Sequence, residues 1–198
     1  METTDYCFSF FRKPIQNIKP IRAVGIVDVY RYIIGHYAQP QTEALRLMLS
    51  SSEAKRYKAT HFDYCTFSGL FRKRNEKELI IHSGLMCLDF DHVDNIGELK
   101  QQLLNHEYFD TELLFVSPSG NGLKWIIPVD LKGWEHSRYF KAVANCIKAT
   151  GLSLVDMSGS DVARSCFLSY DPQAYINHKY KDDVEENIFR PRLGECPF

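Results

Sequence analysis

The stretch Leu85-Met86-Cys87-Leu88-Asp89-Phe90-Asp91 constrains the fold of this 198-residue chain more than any other. Four apolar residues lead into two aspartates spaced i, i+2. A short apolar run of this kind reads as a buried strand. Side chains alternate along a strand, so Asp89 and Asp91 project side by side from its end. Two ionised carboxylates that close repel each other, and something positive must compensate. A hard divalent cation with oxygen ligands is the natural candidate. An EF-hand is excluded, because Val93 and Asp94 stand where a third ligand and the turn glycine are required. The competing structural reading makes one aspartate a helix cap and the other a solvated strand end.

The pattern around this strand predicts the remaining elements. Tyr6–Phe11 reads as a strand, Val24–Tyr37 and Gln41–Leu49 as helices, and Leu79–Ser83 with Leu85–Asp91 as adjacent strands or one bulged strand broken by Gly84. Ile96–His106 follows as a helix with Asp94 or Asn95 as its N-cap. Glu112–Val116 and Leu123–Val129 are strands joined by the loop Ser117–Gly122. Trp134–Thr150 is a long helix with Gly151 at its C-cap, and Cys166–Tyr170 a last short strand. Strands and helices alternate from residue 79 onward, so mixed α/β packing around one sheet is the economical arrangement.

Two further regions carry chemistry. In Ser117-Pro118-Ser119-Gly120-Asn121-Gly122-Leu123-Lys124, Gly120 and Gly122 permit positive φ and close approach of a ligand. Successive amides of such a turn can form an anion nest. Ser119 adds a hydroxyl and Lys124 a point charge suited to phosphate. The same residues make a good hairpin turn, and the spacing is not that of a P-loop. The second region holds Asp156, Asp161 and Asp171 with Arg164 between them. Asp156 follows a short apolar run, as a strand-end ligand would, and Arg164 could grip a phosphate bidentately. Asp161 with Arg164 could equally be a surface helical pair. Lys55, Arg56, Lys58, Phe71, Arg72, Lys73 and Arg74 could follow a nucleic-acid backbone, with rings for base stacking, although charge runs are more often solvated faces. His82 and His92, which flank the acidic motif, read as structural histidines.

The formal net charge of −1 announces no global basic field, so any nucleic-acid surface must be local. Six cysteines, at 7, 65, 87, 146, 166 and 196, include no C-x-x-C pair. They read as small buried hydrophobes of a reducing compartment. The start METTDYCFSFF lacks a basic region followed by a long apolar stretch, and no run approaches a membrane span. A cytoplasmic protein without membrane contact is expected.

The order of features, an apolar strand into Asp-x-Asp, a Ser-Gly-x-Gly-x-Lys loop and then a third aspartate, resembles the archaeo-eukaryotic primase superfamily. More narrowly, the chain resembles the primase-polymerase-like domain at the N-terminus of virulence-associated protein E homologues, found on bacterial mobile elements. The resemblance runs from about Phe62 to Pro172, with THFDYCTFSGLFRKR and IIHSGLMCLDFDHVD among its closest parts. It implies an α+β fold of mixed sheets with packed helices, in which two αβ halves, one RRM-like, flank a central site. Residues 1–198 would form a single domain, with a subregion 1–61 packed on a core 62–175.

The resemblance also implies metal-dependent nucleotidyl transfer in replication or priming. A 3′-hydroxyl attacks the α-phosphate of a nucleoside triphosphate and pyrophosphate leaves, with Mg²⁺ or Mn²⁺ as cofactor. Asp89 and Asp91 would be metal ligands and catalytic, and Asp156 the third carboxylate, with Asp161 and Asp171 as rivals for that place. Ser119, Gly120, Gly122 and Lys124 would seat the nucleotide, with Arg164 a further contact. The superfamily's commoner pattern carries histidine where Lys124 stands. Lysine can neutralise a triphosphate but cannot act as a neutral imidazole acceptor. The implied partners are nucleoside triphosphates and single-stranded or template–primer nucleic acid, with unwinding left to a separate helicase.

Two other readings compete. One is a non-catalytic nucleic-acid-binding adaptor on the same fold. The other is a phosphohydrolase of the haloacid dehalogenase type, since Leu88-Asp89-Phe90-Asp91-His92-Val93 also resembles that family's nucleophile loop. There Asp89 would be the nucleophile, Asp91 the acid–base and Ser117 or Ser119 a phosphate ligand. The motif's distance from the N-terminus and the polar setting of Asp182-Asp183 weigh against it.

Overall fold

The computed structural model describes residues 6–152 and 155–185, and the account that follows concerns these. The chain is α+β, with six helices and three antiparallel sheets. Four strands, β1 (Phe8–Phe11), β2 (Arg22–Val24), β3 (Tyr64–Thr66) and β9 (Cys166–Phe167), form one sheet in the order β2-β1-β3-β9. A second sheet is ordered β10-β7-β8-β6 and uses β6 (Leu85–Phe90), β7 (Leu113–Val116), β8 (Leu123–Pro128) and β10 (Tyr175–Ile176). A two-stranded ribbon pairs β4 (Gly69–Phe71) with β5 (Leu79–His82).

The expectation of one sheet therefore gives way to two four-stranded sheets and a ribbon. Gly84, at φ +81°, turns the chain between the two apolar runs. Leu79–His82 pairs with β4 and Leu85–Phe90 with β8, so the runs are neither paired with each other nor one bulged strand. Both β6 and β7 pair antiparallel with β8, which lies between them. The crossover through α4 (Ile96–Leu104) thus links two parallel strands with a third inserted.

Side-chain alternation places the cores. One face of the second sheet sends Met86, Leu88, Phe90, Leu114, Leu123, Trp125 and Ile127 against Leu99 and Leu103 of α4 and Phe140, Val143, Ala144 and Ile147 of α5 (His136–Ala149). Trp125 is fully buried there, and its indole N–H donates to Thr111 Oγ1 at 2.7 Å. The opposite face sends Leu85, Leu113, Phe115 and Ile126 against Phe8, Phe10, Cys65 and Cys166 of the first sheet, with α1 (Ile26–Ile34) contributing Ile26, Val29 and Ile33. The two sheets thus face each other across one apolar layer, and helices cover the second sheet's far side.

Local signals explain the element ends. Asn95 caps α4 by accepting from Glu98 N at 3.1 Å, and Gly151 follows α5 at φ +81°. The expected helix 24–37 starts after Gly25, whose N–H donates to Asp28 at 3.0 Å, and stops at Gly35, beyond which His36–Ala38 is a 3₁₀ turn. The next helix, α2, spans Gln39–Arg46. Sequence reasoning did not foresee α3 (Ser51–His61), which buries no residue and so shows no apolar stripe. It also missed β2, β3, β4 and β10, which are two or three residues long and too short to display a period of two. The described chain ends in α6 (Lys181–Glu185).

Gly122 allows close strand packing beside the Ser117–Gly122 loop. A methyl group there would run into the Phe90 carbonyl. Gly122→Ala is expected to destabilise the fold by about 1–3 kcal/mol, as overpacking does, read as a lower urea midpoint.

Candidate functional site

Asp89 lies on β6 directly across from Lys124 on β8, and alternation after Leu85 and Cys87 turns it toward the first sheet. The two side chains form an ion pair, with side-chain exposures of 10% for Asp89 and 11% for Lys124. Asp89 Oδ1 makes no hydrogen bond beyond this ion contact, although it is buried. Burial lifts the Asp89 carboxyl above its ordinary range; Lys124 pulls it back and Asp91 adds to the rise. Burial alone would lower Lys124, but Asp89, helped by Cys166 and Cys87, holds its ammonium above the ordinary value. The compensating charge expected beside the Asp-x-Asp pair is therefore supplied within the fold by a lysine.

Asp156 reaches the same place from the loop after α5. Its N–H donates to Asp89 O at 2.8 Å, beyond the free edge of β6. Burial pushes the Asp156 carboxyl up, but hydrogen bonds from Ser158 and the charges of Arg164 and Lys124 outweigh this and hold it below the usual range. Its Oδ1 accepts from Ser158 N at 2.9 Å, and Arg164 lies 3.5 Å from Oδ2. The rivals are employed elsewhere. Asp171 is buried and accepts from Val116 N at 2.8 Å and Gln173 N at 3.0 Å. Asp161 accepts from Ala163 N at 2.8 Å within its own turn. Of the three, Asp156 is the one hydrogen-bonded to β6.

The Ser117–Gly122 loop is a hairpin turn between β7 and β8, and it sits against the Asp91 end of β6 through Val93 N to Asn121 O at 2.9 Å. Gly120, at φ +81°, commits its N–H to Ser117 O at 2.9 Å, and Ser119 Oγ donates to Asn121 at 2.7 Å. Arg46 clamps the loop from α2, donating to the Pro118 and Ser117 carbonyls at 3.3 Å each. Asp91 is exposed at the mouth, just past the end of β6.

The basic run divides. Lys55 and Arg56 are exposed on α3, and Arg72 and Lys73 are exposed on the β4–β5 turn. Phe71 is fully buried, so it cannot stack a base, and Arg74 is tied to Ile15 O at 3.3 Å and lies over the Tyr64 ring. Lys58 turns inward from α3. Burial lowers its ammonium, with Lys124 and Arg164 acting the same way and Asp91 and Asp89 opposing. Sequence reasoning placed Lys58 only in a surface run. Its position beside the carboxylates had no local signal.

His82 is structural. It accepts from Gly84 N at 3.1 Å and lies 3.1 Å from His136, whose other ring nitrogen lies 3.2 Å from Gly159 O. Hydrogen bonding is continuous if both rings are neutral and carry the proton on Nε2. Burial, then His136, pushes His82 from 6.5 down to about 4. Between these values the unfolded chain holds more protons, so stability falls as pH drops, by up to about 3 kcal/mol. Urea midpoints measured from pH 7 to 4.5 are expected to fall less steeply for His82→Gln than for wild type. His92 is exposed, at φ +56°. Cys65, Cys87, Cys146 and Cys166 are free thiols, and Cys196 lies outside the described residues.

Carboxylate oxygens are the right donors for Mg²⁺ or Mn²⁺, and Asp89 Oδ1 has only the Lys124 ammonium as its partner. Among the described residues, no three His, Cys, Asp or Glu side chains stand grouped as a finished metal site. Lys124 holds Asp89 instead.

A family model described as BT4734-like, N-terminal domain, matches residues 56–176, more than half of the chain. The chain belongs to this family. The matched span of this BT4734-like domain contains Lys58, Asp89, Asp91, the Ser117–Lys124 segment, Asp156 and Arg164. No curated protein and no solved structure matches the chain. No helix among the described residues is long and apolar enough to cross a membrane.

Proposed function

We propose that this domain performs metal-dependent nucleotidyl transfer of the primase-polymerase type, joining nucleoside triphosphates on a nucleic-acid template. The observation that supports it best is that the backbone of Asp156, from a distant loop, bonds the Asp89 carbonyl at 2.8 Å, at the end of β6 that Asp91 follows. Asp89, Asp91 and Asp156 are the residues that would hold Mg²⁺ or Mn²⁺, which when bound activates the attacking hydroxyl and neutralises the leaving pyrophosphate. Lys124 and Arg164 face these carboxylates and supply positive charge for a triphosphate. In this reading Lys124 exchanges Asp89 for phosphate as substrate enters, which frees Asp89. The Ser119–Gly122 turn stands at the Asp91 end to border the nucleotide.

A second reading, a nucleic-acid-binding adaptor without catalysis, draws support from the Lys124–Asp89 pair, which already neutralises one of the carboxylates. The experiment that separates the two titrates Mn²⁺ and Mg²⁺ with labelled nucleotide and a single-stranded template. Metal-dependent incorporation supports transfer. Template binding without incorporation supports the adaptor, and salt should weaken that binding as phosphate contacts release counterions.

A further inference from the structure

Among the described residues, Lys58 is the cation of the site that makes no ion pair. Lys124 is paired with Asp89 and Arg164 with Asp156. Lys58 makes no ion pair or hydrogen bond among the described residues, and its contact is with the face of the Phe167 ring, 5.9 Å from the centroid. That distance is at the outer limit of a cation–π interaction, worth about 0.5–1 kcal/mol at most exposed sites. The ammonium is half-buried and stands within electrostatic reach of Lys124, Asp91, Asp89 and Arg164. An unpaired charge held out of bulk water beside two other cations is unfavourable. The helix that holds it there, α3, buries no residue of its own, so nothing in its packing calls for the lysine at this place.

We infer that Lys58 is an anion anchor of the candidate site, receiving the polyphosphate tail of a nucleoside triphosphate. The inference deepens the reading of nucleotidyl transfer and rests on it for the identity of the ligand. Three cations, Lys58 from α3, Lys124 from β8 and Arg164 from the loop before β9, come from three different elements and lie within electrostatic reach of the same carboxylates. Cations grouped in this way suit a compact, multiply charged anion. A phosphodiester strand carries one charge per residue and is better met by cations spread along a track.

The test uses the full chain in Mg²⁺ buffer, with inorganic tripolyphosphate, a nucleoside triphosphate and an oligothymidylate as separate probes in calorimetric titrations. Lys58→Met keeps the stem over Phe167 and removes the charge, and Lys58→Arg restores it. Lys58→Met is expected to bind tripolyphosphate and nucleoside triphosphate about 10-fold more weakly, the worth of one charge-assisted contact. Lys58→Arg should recover most of that loss, and Lys55→Met, on the exposed side of α3, should match wild type. The melting temperature of Lys58→Met should equal or exceed that of wild type, because an unpaired charge has been removed. Unchanged tripolyphosphate affinity in Lys58→Met, a loss confined to oligothymidylate, or no tripolyphosphate binding by wild type would overturn the inference. Lys58-dependent tripolyphosphate binding without any incorporation would uphold the anchor and sink nucleotidyl transfer. Asp89- and Asp91-dependent incorporation with Lys58-independent binding would do the reverse.

Discussion

Asp91→Ala is expected to reduce metal-dependent nucleotide incorporation by at least about 100-fold, since loss of even an outer-shell partner of a metal ligand costs about 10–100-fold. Asp91 is exposed just past the end of β6 and engages in no ion pair among the described residues, so its removal should leave the melting temperature nearly unchanged. The combined Asp89→Ala/Asp91→Ala variant should abolish incorporation, but it also strands Lys124. A buried ammonium without its carboxylate destabilises the fold. The triple variant with Lys124→Met removes that charge as well, and should be folded and inactive. Incorporation by the folded triple variant at the wild-type rate would refute catalysis by these carboxylates. The readout is extension of a labelled primer with Mn²⁺ or Mg²⁺, beside a circular-dichroism melt of each variant.

The second large effect concerns the Lys124–Asp89 pair as a structural unit. Lys124→Met leaves the buried Asp89 carboxylate without its ion-pair partner, and a loss of about 3–5 kcal/mol is expected at pH 7. The sign of its pH dependence follows from the same burial. Asp89 is already raised by desolvation, and losing the lysine raises it further, so the variant's Asp89 protonates as pH falls. The deficit relative to wild type should therefore shrink between pH 7 and 4. Replacing both partners, as Asp89→Leu/Lys124→Met, should recover most of the loss, because no lone charge remains. A double-mutant cycle of urea midpoints measures the coupling. Additive losses would show that the two groups do not sense each other, which their mutual burial makes untenable.

These two experiments address different properties of one pair. If Lys124 served stability alone, the doubly apolar variant would be a sound fold whose loss of activity traced to Asp89. If Lys124 also serves phosphate, a Lys124 variant whose fold is retained should bind triphosphate more weakly than wild type.

Much of the second sheet and its helices was legible along the chain. The run Leu85–Leu88 marked β6 because a short continuous apolar run reads as a buried strand. Asn95 and Gly151 marked the ends of α4 and α5, since capping is a local interaction within one turn. Ser117–Gly122 read as a turn because glycine, asparagine and proline act on their own dihedrals. Of the first sheet, β1 and β9 were legible as apolar runs and β2 and β3 were not. Strands of three residues carry too little alternation, and β9 joins β3 across about a hundred residues of chain. The helix α3 escaped because it buries nothing and therefore has no stripe to read.

The candidate site divides along the same line. Sequence alone determined that a buried strand would carry Asp89 at its end, with Asp91 close behind. It also determined that a glycine-rich turn and a further run of carboxylates would follow in order. Only the tertiary structure decided that Lys124 stands across from Asp89, that Asp156 rather than Asp161 or Asp171 is hydrogen-bonded to β6, and that Lys58 comes within electrostatic reach of the cluster with no ion pair among the described residues. Each of these depends on strand register or loop closure between residues about 30 to 110 positions apart. Local rules of backbone and cap act over a few residues, whereas cross-strand register is set by how two apolar faces pack together.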